Sequence, residues 1–502
     1  GTYINNAGRL RNLSEYSADT VIETSGAAAV ITNQGELHGR VQLANAVNNL
    51  FFNLSGARWD SSGGFNEFGE INSILMNDGR LITANRSAHS PQTTTFNNIG
   101  YLLNAGELTM ANGQAGDVTV INGNYSGGGG TLVFDTVLGD DNSLTDKLVI
   151  NGNSSGVSFV TVNNLGGSGA ATLNGIELIK VTGRSEGNFL QRGRIAAGAY
   201  DYSLVRGSGD NQRNWYLSSS SALFNASARA ALDRLSLSAD AELDVDSYLT
   251  ELQTQRAANA LNSQADSVLS EMEQYLLELQ TQQAAGERQL ASARQQLDSY
   301  LEQLRAQQAR NDAPQVSRPE NGAYTANLAA ANNLFITSLA QRSGETAYLD
   351  LLTGEARSTS MWLRSEGAHN RSRDSSQQLK TQANRYVIQL GGDVARWQFD
   401  QQRLRMGVMA GYGNSRSSTV AQVSGYNSKG KVDGYNLGLY ATWYANAIDN
   451  SGGYLDGWVQ YSWFDNTVSG QGLQSEQYDA DGISAALESG YRFKLRDNPA
   501  QT

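Results

Sequence analysis

A short phrase that recurs along the first 130 residues constrains the fold more than any other feature of the chain. It reads NAGRL at residue 6, NQGEL at 33, NDGRL at 77 and NAGEL at 104, with the related FGEI at 68 and NIGYL at 98. The steps from 6 to 33 and from 77 to 104 are both 27 residues. An Asn-x-Gly turn followed by alternating apolar residues at this spacing predicts a β-solenoid over residues 1–130, in which each coil buries its Leu, Ile or Val. A β-sandwich with regular turns is the alternative.

Residues 131–221 keep the strand pattern and add bulky aromatic side chains. A solenoid has an open end, and large side chains over its last coil would cover that end. We therefore expect a structural cap at residues 131–221, built on Phe134, Tyr200, Tyr202, Trp215 and Tyr216.

The stretch that looks most like a metal loop is VLGDDNSLTDKLVING at residues 137–152. A calcium-binding EF-hand loop needs oxygen ligands at positions 1, 3, 5 and 12 and a glycine at position 6. Counted from Asp140, Leu144 occupies position 5, Thr145 position 6 and Asn151 position 12, so the pattern fails. The sequence instead predicts a polar turn between two strands, with no metal ligand and no cofactor.

Composition argues against one class of partner and leaves the compartment open. The chain has 502 residues, a net charge of −12 and no Cys, and its Lys and Arg residues form no cluster. Phosphate binding requires a basic surface, so we expect no nucleic-acid partner. The absence of Cys suits a reducing compartment or a chain exported without disulfides. The first ten residues contain no basic and apolar signal segment, so an exported protein would carry this chain as an internal piece.

Residues 222–312 are rich in Ala, Gln, Glu, Leu and Ser and predict a long helix. A seven-residue series typical of coiled-coil a and d positions runs through Leu269, Leu276, Leu290, Leu297 and Leu304. We expect an α-helical, coiled-coil-like spacer over residues 222–315, either a helical hairpin or a rod that associates with a second copy.

Residues 316–345 predict a helix of unusual polarity. Residues 323–341 carry no charge, and a helix of this length spans about 29 Å, close to the thickness of a bilayer core. Their Asn, Thr and Ser residues are too polar to face lipid. A helix that crosses the membrane while surrounded by protein or water fits both observations. The residues assigned to this pore helix are Leu328, Asn332, Asn333, Phe335 and Leu339.

Residues 346–502 alternate apolar and polar residues in six segments. In YNLGLYATWY, for example, Tyr435, Leu437 and Leu439 alternate with Asn436 and Gly438. Apolar-out, polar-in strands of about ten residues with interfacial aromatics predict a transmembrane β-barrel, and a soluble antiparallel sheet is the alternative. The residues expected to face the barrel lumen are Arg364, Glu366, Asp393, Arg405, Glu488 and Arg492.

Long stretches of the chain resemble the classical autotransporters, type V secretion proteins of the pertactin-like and AIDA-like group in Gram-negative outer membranes. GTLVFDTVLGDDNSLTDKLVINGNSSG and GAYDYSLVRGSGDNQRNWYLSS are similar to the C-terminal end of their secreted β-helical passenger, the autochaperone part that seeds its folding. RPENGAYTANLAAANNLFITSLAQR is similar to their pore helix, and MWLRSEGAHNRSRDSSQQLKTQANRYVIQLGGDVARW to the first strands of their barrel. The chain departs from the family at residues 222–312, where a short linker is usual, and in showing six barrel strands instead of twelve.

The resemblance implies a mainly β fold: a right-handed parallel β-helix stem, a cap, a helical spacer, a pore helix and the first half of a 12-stranded antiparallel transmembrane β-barrel. It implies that the protein translocates its own passenger and displays it on the cell surface, as an adhesion or biofilm stem. The expected partners are outer-membrane lipid, the barrel-assembly machinery, periplasmic chaperones and a host-surface or matrix ligand. Half a barrel would leave two strand edges unpaired in lipid, so these 502 residues alone are expected to form no working pore.

Two other functions stay open. The chain could be the passenger of a serine-protease autotransporter whose catalytic part lies upstream, or a coiled-coil oligomeric stalk built on residues 222–312. A nucleophilic Ser needs a positioned base, and His38, His89 and His369 lie beside no GDSG-like loop, so we expect no enzyme activity. The pair Asn332 and Asn333 resembles the site at which some relatives cleave themselves. The surrounding AAANNLFITSL is similar to the non-cleaving branch, which predicts a structural role with hydrogen bonds to barrel side chains.

Overall fold

A computed structural model of the protein describes residues 1–220 except 47, 71, 88 and 208, and then residues 315–342, 346–349 and 351–494. The chain divides into two units, Gly1–Val316 and Ser317–Thr502. The predicted helical spacer at residues 222–312 and its coiled-coil series lie outside the described residues. Within the described part of the chain, no helix combines the length and the apolar character needed to cross a membrane.

The first unit is a parallel β-solenoid, as the recurring phrase predicts. Seven strands, β1, β4, β7, β10, β13, β16 and β18, pair in parallel in that order and define seven successive coils. The strands of this unit are β1 (Thr2–Asn6), β2 (Arg9–Arg11), β3 (Thr20–Glu23), β4 (Ala29–Asn33), β5 (Glu36–His38), β6 (Arg40–Gln42), β7 (Leu50–Asn53), β8 (Arg58–Asp60), β9 (Phe65–Glu67), β10 (Ile74–Asn77), β11 (Arg80–Ile82), β12 (Thr93–Asn97), β13 (Tyr101–Asn104), β14 (Glu107–Thr109), β15 (Val118–Ile121), β16 (Asn124–Thr136), β17 (Lys147–Ile150), β18 (Ser154–Asn164), β19 (Ile176–Val181), β20 (Asn188–Gln191), β21 (Ile195–Ala197), β22 (Tyr200–Arg206) and β23 (Trp215–Ser218).

The Asn of the recurring phrase forms a ladder inside the solenoid. The side-chain amide of each Asn donates to the side-chain oxygen of the next, at 2.8 to 2.9 Å, in the order Asn6, Asn33, Asn53, Asn77, Asn104. The last four are fully buried, so each needs this partner to offset its desolvation. The Gly of the phrase is required by close packing between coils, because a Cβ on Gly106 would lie 2.1 Å from the carbonyl oxygen of Gly79.

The structure separates the six copies of the phrase into two groups. The copies at 6, 33, 77 and 104 occupy equivalent positions in successive coils, together with Asn53, whose coil lacks the phrase. FGEI at 68 and NIGYL at 98 follow β9 and β12, which places them at a different corner of the coil. The repeat therefore predicts the solenoid correctly, but the phrase alone does not distinguish the two corners of the coil at which it occurs.

The second unit is a six-stranded antiparallel sheet with one helix. The strands pair in chain order from β26 to β31, and β24 and β25 form a separate two-stranded sheet. The elements are α1 (Pro319–Asn333), β24 (Thr346–Leu349), β25 (Ala356–Thr359), β26 (Trp362–Arg373), β27 (Leu379–Phe399), β28 (Gln402–Ala421), β29 (Asn427–Tyr444), β30 (Gly452–Gly470) and β31 (Glu476–Arg492); short 3-10 turns lie at Gly209–Asn211 and Ala340–Arg342.

The six predicted strands are present but longer than the ten residues expected. They run from 12 residues in β26 to 21 in β27. The alternation of apolar and polar residues marks only the middle of each strand. Polar residues continue the pairing beyond it, as where Ser415, Arg416 and Ser417 of β28 face Val432, Lys431 and Gly430 of β29.

The helix is shorter than predicted. It ends at Asn333, so Phe335 and Leu339 lie beyond it in residues 334–342, which we call the post-helix segment. Side chains of the sheet donate to main-chain carbonyls of this segment and replace the intrahelical bonds that would have continued the helix. The β-branched Ile336 and Thr337 also disfavour helix at this point.

Candidate functional site: the solenoid end and the polar face of the sheet

Antiparallel strands close the end of the parallel solenoid. β23 pairs antiparallel with β19, the last parallel strand of its sheet, and β22 and β21 extend the sheet in the same way. This change of direction covers the edge that another coil would otherwise occupy.

Four of the five aromatic residues predicted for the cap lie in or against one hydrophobic core, and Tyr216 is buried outside it. Phe134, Tyr202, Trp215 and Tyr216 are buried, and Tyr200 packs against the core while partly exposed. Trp215 contacts Phe189 edge-on, with ring centroids 5.5 Å apart, and the guanidinium of Arg206 lies 4.8 Å from its ring. Sequence reasoning missed Phe189 because nothing local marks it as the partner of Trp215.

Polar contacts hold the turns of the cap. The hydroxyl of Tyr202 lies 2.7 Å from the carbonyl oxygen of Gly139 and accepts a hydrogen bond from the amide of Ala170 at 2.9 Å. Arg194 and Asp201 form an ion pair at 2.7 Å with almost no exposed surface on either side chain. The sequence gives no signal for this pair, since the pairing depends on how β21 and β22 fold against each other.

The chain returns to the cap after residues 221–314. Ser220 and Gln315 form an antiparallel β-bridge, and the amide of Val316 donates to the carbonyl of Ser219 at 2.7 Å. The amide of Asp201 donates to the carbonyl of Val316 at 3.2 Å, and Val316 is fully buried. Ser220 and Gln315, the residues that flank the 221–314 segment, are therefore neighbours in the structure.

The acidic residues of the 137–152 loop bind backbone amides. The loop connects β16 to β17, as the turn interpretation predicts. Asp141 accepts from the amides of residues 173, 174 and 175 at 2.8 to 3.0 Å. Asp146 accepts from Gly116, Asp117 and Asp135 at 2.7 to 3.0 Å. The pKa of Asp146 is raised to about 8: burial is the main cause, the carboxylates of Asp117 and Asp135 act in the same direction, and the amide donors oppose both.

The two faces of the six-stranded sheet differ in chemistry. Apolar side chains that are exposed on one face include Leu363, Leu390, Leu437, Val459 and Ile483. The opposite face, which we call the polar face, buries Arg364, Gln389, Arg405, Asn436, Asp456 and Gln460. The exposed apolar residues would be costly in water and favourable against lipid.

The six charged residues predicted to face the lumen fall into three groups. Arg364 pairs with Glu366, which also pairs with Arg385 at 3.0 Å. Asp393 pairs with Arg405 at 2.6 Å. Glu488 accepts from the hydroxyl of Tyr454 at 3.0 Å, and the guanidinium of Arg492 lies 5.3 Å from the ring of Tyr454.

Helix α1 packs on the polar face through small residues. A Cβ on Gly322 would lie 2.5 Å from Thr419, and the side chain of Asn327 donates to the hydroxyl of Tyr478 at 3.3 Å. Asn332 is exposed, and Asn333 donates back to the carbonyl of Ala329 in its own helix at 2.7 Å. The contact that was expected from the Asn pair is therefore made by Asn327. Leu328 is exposed, while Phe335 and Leu339 are buried.

The post-helix segment is held by side chains of β27, β30 and β31. The carbonyl of Phe335 accepts from the side-chain amides of Gln389 at 3.3 Å and Gln460 at 2.8 Å. The indole of Trp458 donates to the carbonyl of Thr337 at 2.9 Å, and the amide of Leu339 donates to Glu488 at 3.3 Å.

The post-helix segment ends at a buried charge. Arg342 and Asp456 form an ion pair in which both side chains are almost fully buried. Beside the segment lies a cavity of about 410 Å³, lined by residues that include Asn333, Ser338, Glu366, Arg385 and Glu488.

Comparisons with known proteins agree with this architecture. Residues 361–500 match the family described as the autotransporter beta-domain, and residues 97–204 match the autochaperone domain type 1. The uncharacterised protein YdeU of Escherichia coli (strain K12) is 38% identical over 389 residues, which cover 77% of this chain and 68% of YdeU. The chain belongs to the autotransporter family. Its β-domain places it in the outer membrane.

Other relatives are considerably longer than this chain. The uncharacterised protein YuaQ of E. coli (strain K12) is 44% identical over 399 residues, which cover 79% of this chain and 24% of YuaQ. The autotransporter adhesin AIDA-I of E. coli is 29% identical over 386 residues, which cover 76% of this chain and 23% of AIDA-I. The crystal structure of the AIDA-I transport unit is 32% identical, covers 35% of this chain and 53% of that chain, and superposes with a TM-score of 0.31.

Proposed function

We propose that this protein exports its own solenoid passenger through its β-domain and holds it on the cell surface as an adhesion stem. One observation carries the proposal: α1 lies on the polar face of a sheet whose other face exposes apolar side chains. This is the arrangement expected of a chain that runs through a membrane barrel, with the polar face as lumen. The adhesive role is supported by the name of the relative AIDA-I.

In finer detail, the proposed architecture is a right-handed β-helix, an autochaperone cap, a helical segment at 222–312 and the first half of a 12-stranded barrel. The proposed partners are outer-membrane lipid, the barrel-assembly machinery, periplasmic chaperones and a ligand on host surface or matrix. Residues 131–221 would fold first outside the cell and bias the passenger outward.

The proposal includes no enzymatic step. His38 is the candidate base nearest a buried carboxylate, with its Nδ1 3.7 Å from Asp60. Its Nε2 lies 2.9 Å from the carbonyl oxygen of Glu15, so the nitrogen that would activate a serine already has a partner.

An epitope inserted between Ser25 and Gly26, in an exposed turn of the solenoid, tests the proposed function. With the β-domain completed to twelve strands, we expect an antibody to reach this epitope on intact cells. If the β-domain assembles in the outer membrane but the epitope becomes reachable only after permeabilisation, export by this chain is refuted.

A further inference from the structure

We propose that the polar face carries a track that binds extended polypeptide backbone, formed by Gln389, Gln460, Trp458 and Glu488. The post-helix segment occupies this track in the structure. This inference rests on the proposed function, because the other occupant would be the passenger chain while it passes through the β-domain.

Between the turn at residues 334–335 and the 3-10 turn at Ala340–Arg342, the contacts to the post-helix segment alternate along the chain. Main-chain atoms of residues 335, 337 and 339 make the hydrogen bonds, and the same three residues are buried, while 336, 338 and 340 are exposed. A period of two is that of an extended strand. The bonds go to carbonyl and amide groups that almost every residue carries, so binding of this kind does not depend on side-chain sequence.

The two glutamines are oriented before any chain binds. Arg364 donates to Oε1 of Gln389 at 2.6 Å, and Nε2 of Gln389 donates to Oε1 of Gln460 at 3.2 Å. These bonds fix which end of each amide faces the segment, so Nε2 of both residues points toward the same carbonyl. A fixed donor loses little side-chain entropy when it binds.

One further acceptor on the track has no partner. Oδ1 of Asn436 is buried and makes no hydrogen bond among the described residues, although Nδ2 of the same side chain donates to Gln460. A buried unpaired acceptor is unfavourable. The backbone amide of a passing chain would satisfy it.

The strength of such a track suits a chain that must move. A neutral hydrogen bond changes a binding constant roughly two- to tenfold. Three or four such bonds would orient a passing chain on the track and still let it dissociate and move on. When export ends, the post-helix segment covers the track, and the ion pair of Arg342 with Asp456 fixes its end.

The test compares variants that remove donors with a matched control. The double variant Gln389→Met and Gln460→Met removes two donors at similar volume, and Trp458→Phe removes one N–H while keeping an aromatic ring. Gln382→Met places the same substitution on the exposed side of β27 and serves as control. In pulse-chase experiments on intact cells, we expect passenger emergence to slow about tenfold in the double variant and about threefold in Trp458→Phe. The control should match the wild type.

If the variants fail to assemble, a crosslinking measurement on the wild-type β-domain tests the track independently. A photo-crosslinking residue replaces Ser462, which is buried on the polar face, or Tyr461, which is exposed on the other face, in a wild-type β-domain carrying a stalled passenger. We expect crosslinks from position 462, and not from 461, to passengers of unrelated sequence. Folded donor variants that export at the wild-type rate, or absence of crosslinks from 462, would overturn the track. A protein with unaltered track residues and a β-domain completed to twelve strands that exports no passenger would instead refute the proposed function.

Discussion

Replacing Trp215 separates the packing of the cap from its hydrogen bonding. The indole is 2% exposed and packs against Phe189 and Arg206. Truncating a buried Trp to Ala costs about 3–5 kcal/mol, which is a large part of the 5–15 kcal/mol that stabilises a typical domain. Nε1 of Trp215 has no hydrogen-bond partner among the described residues. Trp215→Phe therefore keeps most of the packing and removes a buried unpaired donor that costs about 1–3 kcal/mol, so we expect it to stay within about 1 kcal/mol of wild type.

The assay is urea denaturation of the displayed passenger, followed by its resistance to protease on intact cells. Trp215→Ala should lower the unfolding midpoint strongly and slow passenger display, while Trp215→Phe should do neither. If the Phe variant is as damaging as the Ala variant, the ring contacts are not what stabilises the cap. A wild-type midpoint in the Ala variant would show that the cap does not limit passenger stability.

Three further perturbations act on other parts of the chain. The pKa of Asp146 is raised to about 8 from a usual value near 4, so the stability it provides is complete below about pH 4 and is lost as the pH rises through about 8. The urea midpoint of the passenger should therefore fall between pH 6 and pH 9, and Asp146→Asn should reduce that fall. Replacing residues 221–314 with Asn-Gly should leave the protease resistance of the cap unchanged, because the flanking residues are already bridged as in a hairpin. Asp456→Ala should destabilise the β-domain by about 3–5 kcal/mol, measured as a lower temperature for loss of its heat-modifiable mobility, since it leaves Arg342 buried and unpaired.

The two single-residue perturbations each have a control. Asp140→Asn lies in the same loop as Asp146 but is exposed, and it should keep the wild-type pH dependence. Asp433→Ala breaks pairs with Lys431 and Arg416, whose side chains are both about half-exposed, and a hydrogen bond from Tyr412. Because solvent screens these pairs, the loss should be smaller than for Asp456→Ala. The argument on Asp146 is contradicted if the urea midpoint of Asp146→Asn still falls with pH as in wild type. A protease-sensitive cap after residues 221–314 are replaced would contradict the argument on the bridge. Equal losses of stability in Asp456→Ala and Asp433→Ala would contradict the argument on the buried ion pair.

Periodic features of the sequence predicted the fold. Contacts between residues that are distant in the sequence could not be predicted from the same features. The Asn-x-Gly phrase and the dyad alternation repeat locally, so they reveal solenoid coils and sheet strands directly. Asn53 was missed because its coil continues as NLSGARW, which preserves the ladder position without the phrase. Pairing of Asn33 with Asn53 and Asn77 depends on how coils stack, which the phrase alone does not show.

The site was predicted in outline. Gln389 and Gln460 lie on the polar face, and their common acceptor, the carbonyl of Phe335, is 54 and 125 residues away along the chain, so the alternation within a strand could not show this contact. The same contacts explain the early end of α1. The helix propensity of residues 323–341 and the absence of charge among them favoured a helix that continues to residue 341. Hydrogen-bond donors on the sheet bind the main chain after Asn333, and the helix ends there.

The bridge between Ser220 and Gln315 has a mechanical consequence. Tension applied to the chain at Val316 would reach the cap through the bridge of Gln315 with Ser220 and the hydrogen bonds of Val316 with Ser219 and Asp201. If the force breaks those few bonds, the 221–314 segment would also come under tension. Its fully extended length is roughly 300 Å. The hydrogen bonds of the bridge would then act as sacrificial bonds. They would break first, and extension of the 221–314 segment would absorb work before the solenoid or the β-domain is strained.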